Sequence, residues 1–191
     1  MIKVIGIGGS PRKGGNSDIL LDEALKGARK SGGSCEKIIL NDLDFRPCQE
    51  CGGCDETGIC VIKDDMRLVY KNIEEADRVI IASPIFFGSL SAQIKMMIDR
   101  FQSYWIRKYI LKKPVSTKKN RKGIFLCASG SDKKEFFENA KKTIRIFFMT
   151  ISIKYSGDLF CGGIDEKAAI KKNKKMLAKA FKLGEALVKN L

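Results

Sequence analysis

Apolar positions along the chain alternate between two rhythms. Short, mainly apolar runs at 2–7, 38–40, 78–82 (RVIIA) and 122–128 (KGIFLCA) have the length and β-branched content of buried strands, and 151–161 supplies a fifth strand. Between them, apolar residues recur every three or four positions, which predicts helices. One such stripe is Leu20, Ala24, Leu25 and Ala28, ended by Gly32-Gly33; another is Ile94, Met97, Ile98 and Phe101. Phe137, Ala140, Ile144 and Phe147-Phe148 form a third, behind Ser131 as a cap; Ile170, Leu177, Phe181, Gly184 and Val188 form a fourth, over about 165–189. Asp64-Asp65 suit the N-terminus of a further helix. The loops 8–17 and 83–91 are punctuated by Gly, Ser and Pro, and 45–63 has no periodicity.

Strands alternating with helices imply right-handed βαβ units and a parallel sheet covered on both faces. Five strands predict an α/β, flavodoxin-like three-layer sandwich, with strand order 2-1-3-4-5 and a cysteine-rich loop after strand two. One domain is expected over residues 1–191, without internal repeats. Ligands of such sheets bind beyond the carboxyl ends of the strands where the order reverses, here between strands one and three.

The chain has 191 residues, 44% of them apolar, enough for one substantial core. No run of about 18 apolar residues occurs, and the start MIKVIGIGGS lacks the features of a signal peptide, so a cytoplasmic protein is expected, away from membranes. Its seven cysteines then read as metal or redox chemistry, not disulfides. The net charge of +14 comes from 36 Lys and Arg against 22 Asp and Glu. The lysines form scattered doublets without a nucleic-acid motif, so they read as solvated helix faces and no nucleic acid is expected, while an acidic redox partner stays open. The absence of histidine excludes histidine bases, Ser-His triads and histidine metal ligands, and turns attention to cofactor chemistry.

The first loop supplies donors for a dianion. Gly8 to Ser17 offers open backbone N–H groups, the hydroxyls of Ser10 and Ser17, the Asn16 amide and the Arg12 guanidinium, all ahead of a helix N-terminus. A Walker loop would end in Gly-Lys-Ser/Thr, but this one ends Gly15-Asn16-Ser17; Gly6, Gly8 and Gly9 do not keep the dinucleotide spacing. A terminal monophosphate such as that of FMN fits. The second loop, with Pro84, Ile85, Phe86, Phe87, Gly88 and Ser89, is apolar and aromatic and suits the faces of an isoalloxazine ring; Ser129 and Gly130 after strand four add a third contact.

GGSPRKGGNS and SPIFFGSLSAQIKMMIDRF resemble the NADPH-dependent FMN reductase family of the flavodoxin-like fold, over most of residues 1–130. The resemblance implies that Ser10, Arg12, Asn16 and Ser17 hold the FMN phosphate and that Pro84 through Ser89 hold the ring. It also implies a homodimer or homotetramer. The segment 102–115, with Tyr104, Trp105, Tyr109 and Ile110, suits such an interface or covers the chain's own core.

Cys48, Cys51, Cys54 and Cys60 have the spacing C-x2-C-x2-C-x5-C. Three thiolates at such intervals wrap around one cubane, and Gly52, Gly53 and Gly58 relieve crowding; this favours a 4Fe-4S cluster over zinc, which usually takes two separated pairs. The quartet resembles the iron-sulfur flavoproteins of the same family, and cluster-free relatives share similar cysteines. Cys35, Cys127 and Cys161 read as small buried hydrophobes. The resulting expectation is a flavin-dependent oxidoreductase that passes electrons from a ferredoxin-like carrier through the cluster and FMN to a small acceptor. The alternative is a cluster-free NAD(P)H-dependent FMN or quinone reductase.

Overall fold

The apolar runs assemble into the expected parallel sheet in a computed structural model that describes residues 1–189. Strands β1 (Lys3–Gly8), β2 (Ser34–Ile39), β3 (Arg78–Phe86), β5 (Lys122–Ala128) and β6 (Lys154–Cys161) lie in the order β2-β1-β3-β5-β6, every adjacent pair parallel. With the small β4 (Ser89–Leu90) set aside, this is the flavodoxin-like order 2-1-3-4-5. Helices α1 (Asn16–Lys30) and α6 (Lys174–Lys189) cover one face. The other face carries α2 (Met66–Glu75), α3 (Ala92–Arg100), the short α4 (Gln102–Trp105) and α5 (Lys134–Thr150). Two apolar cores result, one on each side of the sheet.

The structure corrects the reading of 83–91 as a loop. β3 runs on to Phe86, and β4 (Ser89–Leu90) returns antiparallel to it, pairing Ile85 with Leu90 and Phe86 with Ser89. The two turn residues, Phe87 and Gly88, have φ of 48° and 72°, the doubly left-handed pattern that suits the twist of a two-residue hairpin. A phenylalanine at the first turn position hides that signature. The last helix is also shorter than expected: a 3-10 turn at Ala169–Lys172 precedes α6, and Ala168 before it is left-handed at φ 62°. Ser131 does not cap α5, whose N-cap position is Lys133; the Ser131 hydroxyl instead accepts from the Lys133 N–H.

Close packing and buried cations fix the layers. A Cβ on Gly184 would lie 1.8 Å from the Ala24 carbonyl oxygen, so α6 approaches α1 backbone to backbone at that point. Buried Arg121 donates to the carbonyls of Ile73, Ala76 and Ile151, satisfying acceptors at the ends of α2 and α5. Burial pushes its guanidinium down to about 10. Cys127 and Cys161 are core residues as expected, their thiols raised by burial, Cys161 to about 11, whereas Cys35 is only half-buried. Of the interface candidates, Tyr104 is buried while Trp105 and Ile110 are exposed. Among the described residues no helix is long and apolar enough to cross a membrane.

Candidate functional site

Beyond the carboxyl ends of β1, β3 and β5 lies a cavity of about 600 Å³, within the size range of cofactor sites. One end is polar, lined by Ser10, Arg12, Asn16 and Ser17, with Ser129 and Lys167 close by. The opposite wall is apolar, built from Pro84, Ile85, Phe86, Phe87 and Phe136. The N-cap of α1 is Gly15, which has no side chain to bond the first-turn N–H groups, and no side-chain cap is made there. Those donors and the positive end of the helix dipole therefore serve whatever fills the polar end. Arg12 and Lys167 add cations, and Asp165 contributes one carboxylate to the rim. A donor-rich end beside an apolar slot fits a phosphate joined to a flat ring, so the residues present fit FMN.

The two loops are tied to each other beneath the cavity. Ser91 caps α3, its hydroxyl accepting from the Ile94 N–H at 3.5 Å, and donates to the Gly9 carbonyl at 2.6 Å. Ser83 donates to the Pro84 carbonyl and accepts from the Ser91 N–H. The first loop is held internally by Ser10, whose hydroxyl accepts from the Arg12 N–H at 3.1 Å.

Eleven of the twelve residues expected around the flavin line this cavity, the exception being Ser89, which is carried into β4. Asn16 lines it but its side chain is engaged elsewhere: it donates to the carbonyls of Ile164 and Glu166 and accepts from the Ile170 N–H. The amide thus fastens the segment after β6 to the first loop. Sequence reasoning missed Ser131, Phe136, Ile164, Asp165 and Lys167. They come from segments after β5 and β6 that carry no glycine-rich signature.

A second cavity, about 200 Å³, is lined by Cys48, Cys51, Cys54 and Cys60 together with Arg100. The aperiodic loop that carries the thiols is closed at its neck. Asp64 accepts from the N–H groups of Arg46 and Met66, while Asp65 accepts from that of Asp44. Arg100, its side chain wholly buried, donates to both Asp64 oxygens at 2.5 and 3.1 Å and to the Arg46 carbonyl at 2.8 Å. Its remaining terminal nitrogen contact is to Cys60 Sγ at 3.4 Å. Burial alone would raise the Asp64 carboxyl, but the Arg100 guanidinium and the two N–H donors hold it below the ordinary range. Burial and the neighbouring Asp55 push the Cys54 thiol up.

Within the loop Gly58 is left-handed at φ 69°, and a Cβ there would meet Arg107 at 2.7 Å. Among the described residues, no three Cys, Asp or Glu stand in metal-holding geometry. The donor set, four thiols on one cavity beside a buried cation, fits an iron-sulfur group in chemistry. The two cavities share no lining residue; α3 runs from Ser91 under the first to Arg100 at the second.

Fold and sites together define a flavodoxin-like α/β protein with a nucleotide-sized cavity at the switch point and a separate thiol-lined cavity. The chain belongs to the NADPH-dependent FMN reductase family, whose model matches residues 2–150, and within it to the iron-sulfur flavoprotein branch. An iron-sulfur flavoprotein of Methanocaldococcus jannaschii is 46% identical over 52% of this chain and 51% of its own length. One of Methanosarcina thermophila is 34% identical over 68% of this chain and 64% of its own. The chain thus spans about half to two thirds of the curated relatives it matches. Among solved structures, the NAD(P)H:quinone oxidoreductase from Methanothermobacter marburgensis superposes with a TM-score of 0.76 at 18% identity, covering 97% of this chain and 96% of that one.

Proposed function

We propose that this chain is a flavin-dependent oxidoreductase that holds FMN in the switch-point cavity and a 4Fe-4S cluster on Cys48, Cys51, Cys54 and Cys60. The observation that carries the reading is the coexistence in one chain of the two built sites: an uncapped helix N-terminus facing an apolar slot, and four thiols on one cavity. Arg12, Ser10, Ser17 and the first-turn N–H groups of α1 bind the phosphate and fix the cofactor's register. Pro84 to Gly88 and Phe136 exclude water from one side of the ring. Bound FMN supplies the exchange between one- and two-electron steps, and the cluster supplies single electrons. Cys48, Cys51, Cys54 and Cys60 act as thiolate ligands, which suits a reducing, cytoplasmic setting. A ferredoxin-like carrier on the cluster side and a small acceptor at the flavin complete the path. Trp105 and Ile146, exposed around a groove that Phe147 also lines, support self-association as a homodimer or homotetramer.

Membership of the NADPH-dependent FMN reductase family supports a second reading, a cluster-free NAD(P)H-dependent FMN or quinone reductase. The test is anaerobic: FMN-loaded, iron-reconstituted protein is mixed with reduced ferredoxin or with NADPH, and bleaching of the flavin is followed. Reduction by ferredoxin that disappears in the Cys51→Ala variant supports the first reading. Rapid reduction by NADPH alone, unchanged by that substitution, supports the second.

A further inference from the structure

We propose that Arg100 tunes the cysteine centre: its buried guanidinium donates to Cys60 Sγ and sets one fixed positive charge against the thiolates, raising the reduction potential of the group they hold. This inference rests on the reading of the four cysteines as cluster ligands.

Arg100 is the one cation lining the cysteine cavity among the described residues; the other charged groups there are the carboxylates of Glu50 and Asp55. Burying a guanidinium is costly unless it is paired and hydrogen-bonded. Asp64 and the Arg46 carbonyl compensate, and these contacts alone would make Arg100 a clamp for the loop's neck. A clamp leaves two observations over. One guanidinium nitrogen reaches Cys60 Sγ at 3.4 Å, and Nε is buried without an acceptor. A neck clamp does not require the sulfur contact, which is the geometry of a donor serving an electron-rich thiolate. The potential of a thiolate-held cluster rises when N–H groups bond its sulfurs and when positive charge lies close, because both stabilise the more negative reduced form. Asp64 opposes this by sharing the cation, so the two residues set the potential as a pair of opposite sign. The position is rigid, since Arg100 ends α3, whose other end Ser91 ties to Gly9.

The experiment is a mediated redox titration of the reconstituted protein, followed by electron paramagnetic resonance, with iron, sulfide and melting measured on each sample. The double variant Arg100→Met/Asp64→Asn removes the pair without leaving a lone buried charge. It should keep the wild-type iron content and shift the midpoint negative by at least a tenfold change in the reduced-to-oxidised ratio, which is 59 mV for one electron. Asp64→Asn alone should shift it positive. If the double variant melts early, Arg100→Lys carries the test, since it keeps the charge but not the fork; it should shift the midpoint negative by less. Unchanged midpoints at full iron content overturn the inference. So does loss of iron at unchanged melting, which would make Arg100 a builder of the site. Wild-type protein that takes up neither iron nor sulfide overturns the cluster reading beneath it instead.

Discussion

Phe87 lines the switch-point cavity at the expense of its own backbone. It is fully exposed at the hairpin tip, with φ of 48°, a conformation that costs a non-glycine residue about 1 kcal/mol. Glycine there would relieve the strain while losing a similar amount of chain entropy. Phe87→Gly should therefore leave the melting midpoint of the flavin-free protein nearly unchanged. It should weaken FMN binding about fivefold in a fluorescence titration, through loss of roughly 1 kcal/mol of aromatic contact. Asn16 behaves in the opposite way. Its amide makes three bonds to the segment after β6, so Asn16→Ala should destabilise the flavin-free fold by about 3 kcal/mol at about 1 kcal/mol per bond. A residue that only held phosphate would show no loss in chemical denaturation without flavin. The resemblance implies that Asn16 holds the phosphate; the residue lines the cavity, and the partners its side chain takes could not be read because they lie about 150 residues away in the chain.

Among the elements, α3 has the widest reach. Nine residues at 1.5 Å each carry it about 14 Å, from the flavin loops to the neck of the cysteine loop. Its stripe of Ile94, Met97 and Phe101 was legible because one face packs on a core, but the role of Arg100 was not, since a charged residue at a helix end normally reads as solvated. The neck makes a pH prediction. The Asp64 carboxyl is held below the ordinary range, so its stabilisation is present above the unfolded value of about 3.9 and is lost as pH falls through the lower folded value. Asp64→Asn should melt below the wild type at neutral pH, with the difference closing under acid; a constant difference at all pH values would contradict the assignment. The α1–α6 crossing makes another. Gly184→Ala places a methyl 1.8 Å from the Ala24 carbonyl, and overpacking of this kind should cost about 3 kcal/mol, lowering the melting midpoint by roughly 6–12 °C.

For the molecule as a whole, the sheet order was readable because the central strands are mainly apolar runs and each helix an amphipathic stripe; β6, read as 151–161, begins only at Lys154 and mixes polar with apolar positions. β5 was read to the residue, whereas β2 begins four residues before its apolar part because Ser34 to Lys37, on the sheet's edge strand, alternate between exposed and half-buried. The polar end of the flavin cavity was legible as a cluster of donors at one turn. The rest of its wall was not, since Phe136 and Lys167 reach it only through the closure of the fold. We propose that one chain carries two redox centres, about one helix apart. Quantifying FMN, iron and sulfide on the same anaerobically reconstituted sample, with a visible spectrum, tests it most directly. One FMN and the iron and sulfide of one 4Fe-4S cluster per chain are expected, with the iron lost and the FMN kept in the Cys51→Ala variant; FMN at full occupancy with no iron or sulfide in the wild type would contradict the two-centre reading.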